Sequence, residues 1–240
     1  MALRKKLTTA GMILIACACR SMPQQPQAPV AASLTAQSVV AQMEQNNRMR
    51  NGELKSFQSI RHYVVSYHGF PKPLSATMDV EVTYDAQTGK HFRILSQTGS
   101  GLLGDKVLMR AVDSEREAAL HPDESALSDA NYRFALSGDQ TLNGRSTYVL
   151  QVDPIRPGKF LYRGQVWVDA ADFALVQIEA SPERSPSFWI RRTAIFESYE
   201  KVGGFWLPKQ NRSTTQVRFG GTAVMTIDYG TYHIVSADAR

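Results

Sequence analysis

The chain has 240 residues, 43% of them hydrophobic, with 27 lysines and arginines against 22 acidic residues and a formal net charge of +5. That is enough apolar material for a sizeable core, and with Cys17 and Cys19 as its only cysteines the chain is not a disulfide-stapled scaffold. Removing residues 1–16 takes away Arg4, Lys5 and Lys6 and leaves 24 cations against 22 anions; with no basic stripe interleaved with aromatics, a nucleic-acid partner is excluded.

The first element is "MALRKK" followed by an uncharged run from Leu7 to Ala16, the layout of a secretory signal peptide. The run is too short for a spanning helix, which needs about 20 residues. Cys17 and Cys19 are one residue apart, too close for an unstrained bridge, whose Cα atoms sit ~5.5 Å apart in compatible directions. They lack the further ligands of a metal site and the C-x-x-C spacing of a redox pair. Two processing readings remain. "LIAC" has the form of a lipobox, which would make Cys17 a diacylated N-terminus; "ACA" reads as an A-x-A cleavage site releasing a chain that begins at Cys19. Residues 1–16 are thus expected to be removed, 17–34 to form a Pro/Gln-rich tether, and 35–240 to fold as one domain.

Within 35–240, "TAQSVVAQMEQNNRMRNG" reads as a helix capped by Thr35, with Val39, Val40 and Met43 at helical spacing and Gly52 as a stop. A second helix is expected over 104–120. The remainder alternates or is rich in β-formers, predicting strands at 56–68, 76–85, 90–98, 131–142, 145–153, 160–169, 173–180, 187–200, 205–218 and 222–235. Asn143-Gly144 is a strong hairpin signal, because a type I′ turn wants positive φ at both central residues. Met78, Val80, Val82 and Tyr84 alternate with Thr77, Asp79, Glu81 and Thr83, and Tyr148, Leu150 and Val152 alternate with Thr147 and Gln151. A one-sided antiparallel sheet must bury its apolar face. The expected fold is mainly β (α+β): a strongly curved antiparallel sheet, a half-open barrel, with helices packed across its concave face. Such a fold leaves an apolar cavity between sheet and helices, and Met78, Val80, Val82, Leu103, Val107, Leu150, Val166 and Trp189 are expected to line it.

Residues for chemistry do not converge. His62 and His68 are about 20 Å apart at strand rise, too far to share a metal. Asp169 and Asp172 fall in a tight "DAAD" turn, where Asx hydrogen bonds to the backbone are their expected role. "GSGLLG" (99–104) lacks the Lys-Ser/Thr of a phosphate loop and reads as a strand-to-helix hinge. No Gly-x-Ser-x-Gly elbow is present. "ERSPSFWIRR" (183–192) sets Phe188, Trp189 and Ile190 beside Arg184, Arg191 and Arg192, either a doubly buried strand edged by cations or a contact for anionic headgroups or a partner's carboxylates.

The order of elements, with "LNGRSTYVLQVDP" (142–154), "GQVWVDAADFALVQIE" (164–179) and "VGGFWLPKQNRSTTQVRFGGTAVMTIDYGTYHI" (202–234), resembles the bacterial outer-membrane lipoprotein-sorting and periplasmic lipoprotein-carrier superfamily. That resemblance implies a non-catalytic envelope protein that binds lipid or lipoprotein acyl chains and needs no cofactor. It also implies an exported location, either outer membrane facing the periplasm through an anchor on Cys17 or soluble in the periplasm if cleavage follows Ala18. An envelope protein-interaction or stress-sensing module on the same fold, with a protein partner, is the alternative.

Overall fold

The computed structural model describes residues 34–185, 188–218 and 220–236; the expected signal peptide (1–16), Cys17 and all but the last residue of the expected tether (17–34) lie outside them. Helix α1 (Ala36–Glu53) opens with a capping box, in which Ser38 N–H donates to Thr35 Oγ1 (3.1 Å) and Thr35 N–H to Ser38 Oγ (3.0 Å). Gly52 does not stop it. The helix continues one residue further and passes directly into the first strand, Leu54 already being extended. Ala36, Val39, Val40 and Met43 form its buried stripe.

The strands are β1 (Leu54–His68), β2 (Leu74–Asp85), β3 (Gly89–Gly99), β4 (Tyr132–Leu142), β5 (Arg145–Pro154), β6 (Tyr162–Asp169), β7 (Leu175–Pro182), β8 (Ile190–Val202), β9 (Phe205–Val217), β10 (Thr222–Tyr229) and β11 (His233–Ser236). Between β3 and β4 come α2 (Gly101–Leu103), a π-helical turn (Gly104–Leu108), α3 (Met109–Leu120) and α4 (Pro122–Ser125). All pairings are antiparallel, in the order β3-β2-β1-β10-β9-β8-β7-β6-β5-β4, with β11 also on β1. β3 and β4 are free edges, so the sheet is not closed; it is the curved half-barrel that the alternation predicts. The predicted type I′ hairpin at Asn143-Gly144 is present, with φ of 51° and 79°.

Two predicted strands are corrected. The segment 222–235 is split at Gly230, whose N–H bonds Ile60 O (2.9 Å), so β1 pairs β10 along one half and β11 along the other. The segment 187–200 begins as a strand only at Ile190; Phe188 and Trp189 occupy a turn, so the reading of them as part of a doubly buried strand does not apply.

Each helix covers one wing of the concave face. α3 and the π turn pack Leu108 and Val112 against Tyr63, Val65, Met78, Val80 and Val82 of β1 and β2. α1 packs Val39, Val40 and Met43 against Phe134, Leu150, Val152, Val166 and Ile178 of β4–β7. A small third cluster, Val149, Trp167 and Val176 with Trp206, lies on the opposite, convex face.

Candidate functional site

The register gives one inward-facing row across the whole sheet: Gln97, Met78, Tyr63, Ile227, Asn211, Glu197, Ile178, Val166, Leu150, Leu136. Its wings are apolar and its centre, Asn211 and Glu197, is polar. The helices cover the wings and leave β8–β10 in between, where the inward residues Ile195, Glu197, Tyr199, Asn211, Ser213 and Tyr229 are only half-buried.

The expected pocket residues divide accordingly. Met78, Val80 and Val82 share one core with Leu103 of α2, with Val107 of the π turn packed against it, and Leu150 and Val166 are buried in the core beneath α1. Six strand steps separate Met78 from Val166, about 29 Å along the arc at ~4.8 Å per strand. They form two cores, not one lining. Trp189 belongs to neither and stands exposed in the β7–β8 turn, its ring edge-on to Phe188 at 5.8 Å.

The cavity on the concave side lies where α3, β1, β9 and the segment before β11 meet. It has a volume of about 500 Å³ and is walled by Leu54, Phe57, Tyr84, Ala118, Leu207 and Tyr232. Phe57 stacks on Tyr84 (5.4 Å) and meets Tyr232 edge-on (5.5 Å), which fixes three of the walls. Arg61 and Glu115 also border it. Arg61 Nη1 donates to both Glu115 carboxylate oxygens at 2.5 Å, and Lys90 Nζ lies 3.5 Å from Glu115. The guanidinium stacks over Tyr229, 4.6 Å from the ring centroid. Burial by itself would raise the Glu115 carboxyl, but Arg61 and Lys90 hold it below the usual carboxylate range. Ser59 Oγ, Arg61 Nε and Tyr63 Oη, three successive inward positions of β1, are buried without a hydrogen-bond partner among the described residues.

Beside this pair, burial pushes the Glu197 carboxyl up to about 7, against hydrogen bonds from Tyr199 and Asn211 that favour its charged form. The low-dielectric surroundings likewise raise the Tyr199, Tyr162 and Tyr229 hydroxyls. Sequence reading missed Arg61, Glu115 and Glu197. The only signal for Arg61 was a cation at an inward position of an otherwise alternating strand.

The convex face has a hollow of about 600 Å³ bordered by Arg145, Lys201, Trp206 and Lys209. Ion pairs crowd it: Asp172 accepts from Lys201 (2.8 Å), Trp206 Nε1 (3.0 Å) and Arg145 (3.3 Å). In the "DAAD" turn, Asp169 Oδ1 accepts from the N–H groups of Ala171 (3.0 Å) and Asp172 (2.8 Å), the backbone role expected of it. Among the described residues no group of three His, Cys, Asp or Glu is arranged to hold a metal ion, and no helix is long and apolar enough to cross a membrane. His62 instead bonds Asp79 at 2.6 Å.

A family model described as "-like: Uncharacterized protein" matches residues 123–238. No curated protein matches the chain. Among solved structures, the chain is similar to a DUF1329 family protein from Desulfovibrio piger, at 13% identity over 83% of this chain and 92% of that one, with a TM-score of 0.42. It is similar to a LolA superfamily protein from Nitrosomonas europaea, at 11% identity over 85% and 94%, with a TM-score of 0.37. It is also similar to a protein domain assigned to outer membrane lipoprotein sorting from Vibrio parahaemolyticus, at 12% identity over 85% and 94%, with a TM-score of 0.45.

Proposed function

We propose that this chain is an exported envelope protein, lipid-anchored through Cys17, that binds an acyl chain or similar apolar ligand in the concave cavity without transforming it. The observation that carries this reading is the cavity itself. Its volume of about 500 Å³ lies within the ~300–1,000 Å³ usual for ligand sites, and most of its walls are apolar or aromatic. Each methylene taken from water contributes about 0.8 kcal/mol, so one chain suffices for useful affinity. The Met78–Val82 and Leu150–Val166 surfaces serve as the packed supports of the two wings. Entry and exit proceed by displacement of α3, with the segment from Ser100 through the π turn as its hinge.

A second reading has its own observation. The half-buried polar centre of the concave face, with Glu197, Asn211 and Ser213, suits capture of a polypeptide segment from an envelope partner. Displacement of a fluorescent fatty-acyl probe distinguishes the two. Saturable uptake by the wild-type protein that is lost in Ala118→Trp, which fills the cavity from α3, supports ligand carriage; absence of uptake by the wild type refutes it.

A further inference from the structure

The ends of β1, β3, β5, β7 and β9 share one rim of the half-barrel, and the turns at 86–88, 143–144, 170–174 and 203–204 share the other. Large apolar side chains are exposed at the connections of the first rim: Phe70 (86%), Leu102 (61%), Phe188 (68%) and Trp189 (59%). The four turns of the opposite rim contain none of the exposed large hydrophobics.

Hydrogen bonds join these tips into one structure. Tyr67 Oη lies 3.0 Å from both Phe70 O, in the β1–β2 turn, and Gly220 O, in the β9–β10 turn. Arg218 N–H donates to Trp189 O (2.8 Å), tying the β9–β10 turn to the β7–β8 turn, and Ser100 N–H donates to Ser75 O (2.7 Å), holding the approach to Leu102 beside β2. Lys72, Arg184, Arg191, Arg192 and Arg218 are exposed among these tips, and the Arg218 guanidinium covers the Phe188 ring at 4.5 Å. Within the stretches that carry these tips, 69–73, 100–106, 183–189 and 218–221, the acidic groups are Asp105 and Glu183, and Glu183 pairs with Arg163; the other acids of the β3–β4 connection lie further along, in α3, α4 and the segment before β4.

We propose that this rim docks on an anionic lipid surface, with Phe70, Leu102, Phe188 and Trp189 at the headgroup–acyl boundary and the surrounding cations on lipid phosphates. Aromatic and aliphatic tips interleaved with Lys and Arg match such an interface, where amphipathic rings and basic side chains are both favoured. The apolar groups sit on three separate connections along one rim, with Phe188 and Trp189 paired on one of them, a linear arrangement that fits a plane. The contact is separate from the cavity and from Cys17, so it neither needs nor implies a bound ligand.

The test uses envelope-processed protein returned to vesicles of phosphatidylglycerol with brominated acyl chains, read by tryptophan fluorescence. The expected result is quenching that is lost in Trp189→Phe, since Trp167 and Trp206 lie on the convex face away from the tips. Quenching should also fall when phosphatidylcholine replaces the anionic lipid, when salt screens the cations, and in Arg184→Gln/Arg191→Gln/Arg192→Gln. Quenching unaltered by Trp189→Phe, or equal on neutral and anionic vesicles, overturns the assignment. So does absence of quenching with Trp189-dependent cross-linking to an envelope polypeptide, the outcome for a protein-docking rim. Matching far-ultraviolet dichroism and thermal unfolding of the variants show that they fold.

Discussion

Arg61 on β1 and Glu115 on α3 are 54 residues apart in sequence, yet the guanidinium Nη1 contacts both carboxylate oxygens at 2.5 Å. Arg61 is 1% exposed, so its charge has no access to water as a substitute partner. Removing one member of a buried pair strands the other charge, whereas replacing both can be neutral. Glu115→Gln is therefore expected to lower stability by about 3–5 kcal/mol, and Arg61→Met/Glu115→Leu to recover most of that loss. Urea unfolding of the three proteins checks it, and equal losses in the single and double variants contradict it.

Glu197 predicts a pH dependence of the opposite kind to an ordinary ion pair. Its folded carboxyl titrates near 7, above the 4.5 of the unfolded chain, so the folded state binds the extra proton between those values. Stability from this group is full below about pH 4.5 and declines as pH rises to 7, by about 2–3 kcal/mol after allowance for its partial exposure. Glu197→Gln should flatten that decline and be the more stable protein at pH 8. Parallel urea midpoints of wild type and variant from pH 5 to 8 would show that Glu197 is not the titrating group.

At the β6–β7 turn, burial would raise the Asp169 carboxyl, but Arg145 and the N–H groups of Asp172 and Ala171 hold it below the usual range. A depressed carboxylate contributes stability above its unfolded pKa and loses it as pH falls through the folded value. Asp169→Ala should cost about 2–3 kcal/mol at neutral pH, with the difference from wild type shrinking below pH 4. A constant difference down to pH 2 argues that the loss is one of packing.

Between β10 and β11 the chain passes so close to β1 that a Cβ on Gly230 would lie 2.5 Å from Ile60 O, so this position accepts no side chain without a shift. Gly230→Ala should destabilise the β11 pairing before the rest of the sheet. Hydrogen exchange reads this as early loss of protection at residues 233–236, and unchanged protection there counts against it.

The wings of the fold were legible because each is amphipathic by itself. Val80 and Val82 alternate with Asp79 and Glu81, and the helix capped by Thr35 carries its own stripe. The centre was not. On β8 and β9 the inward residues Glu197, Asn211 and Ser213 are as polar as the outward ones, so alternation does not mark a face there. The break at Gly230 falls where the chain meets a β1 carbonyl, which no local pattern encodes. Trp189 looked like core because aromatics in β-rich segments usually are; its exposure follows from the turn that precedes Ile190. Pairing of Arg61 with Glu115 depends on where α3 lands on β1, a long-range fact. The single expected pocket became two cores for the same reason: periodicity shows that Met78 and Leu150 face inward, while strand order sets how far apart they lie.

An apolar ligand in the concave cavity, as proposed above, can be looked for directly. Native mass spectrometry of the protein extracted from expressing cells in mild detergent does so, with Ala118→Trp as the comparison. The expected result is a co-purifying lipid-mass adduct on the wild type that is absent from a folded Ala118→Trp protein. A wild-type protein without adduct, or an adduct equally present on both, would contradict it.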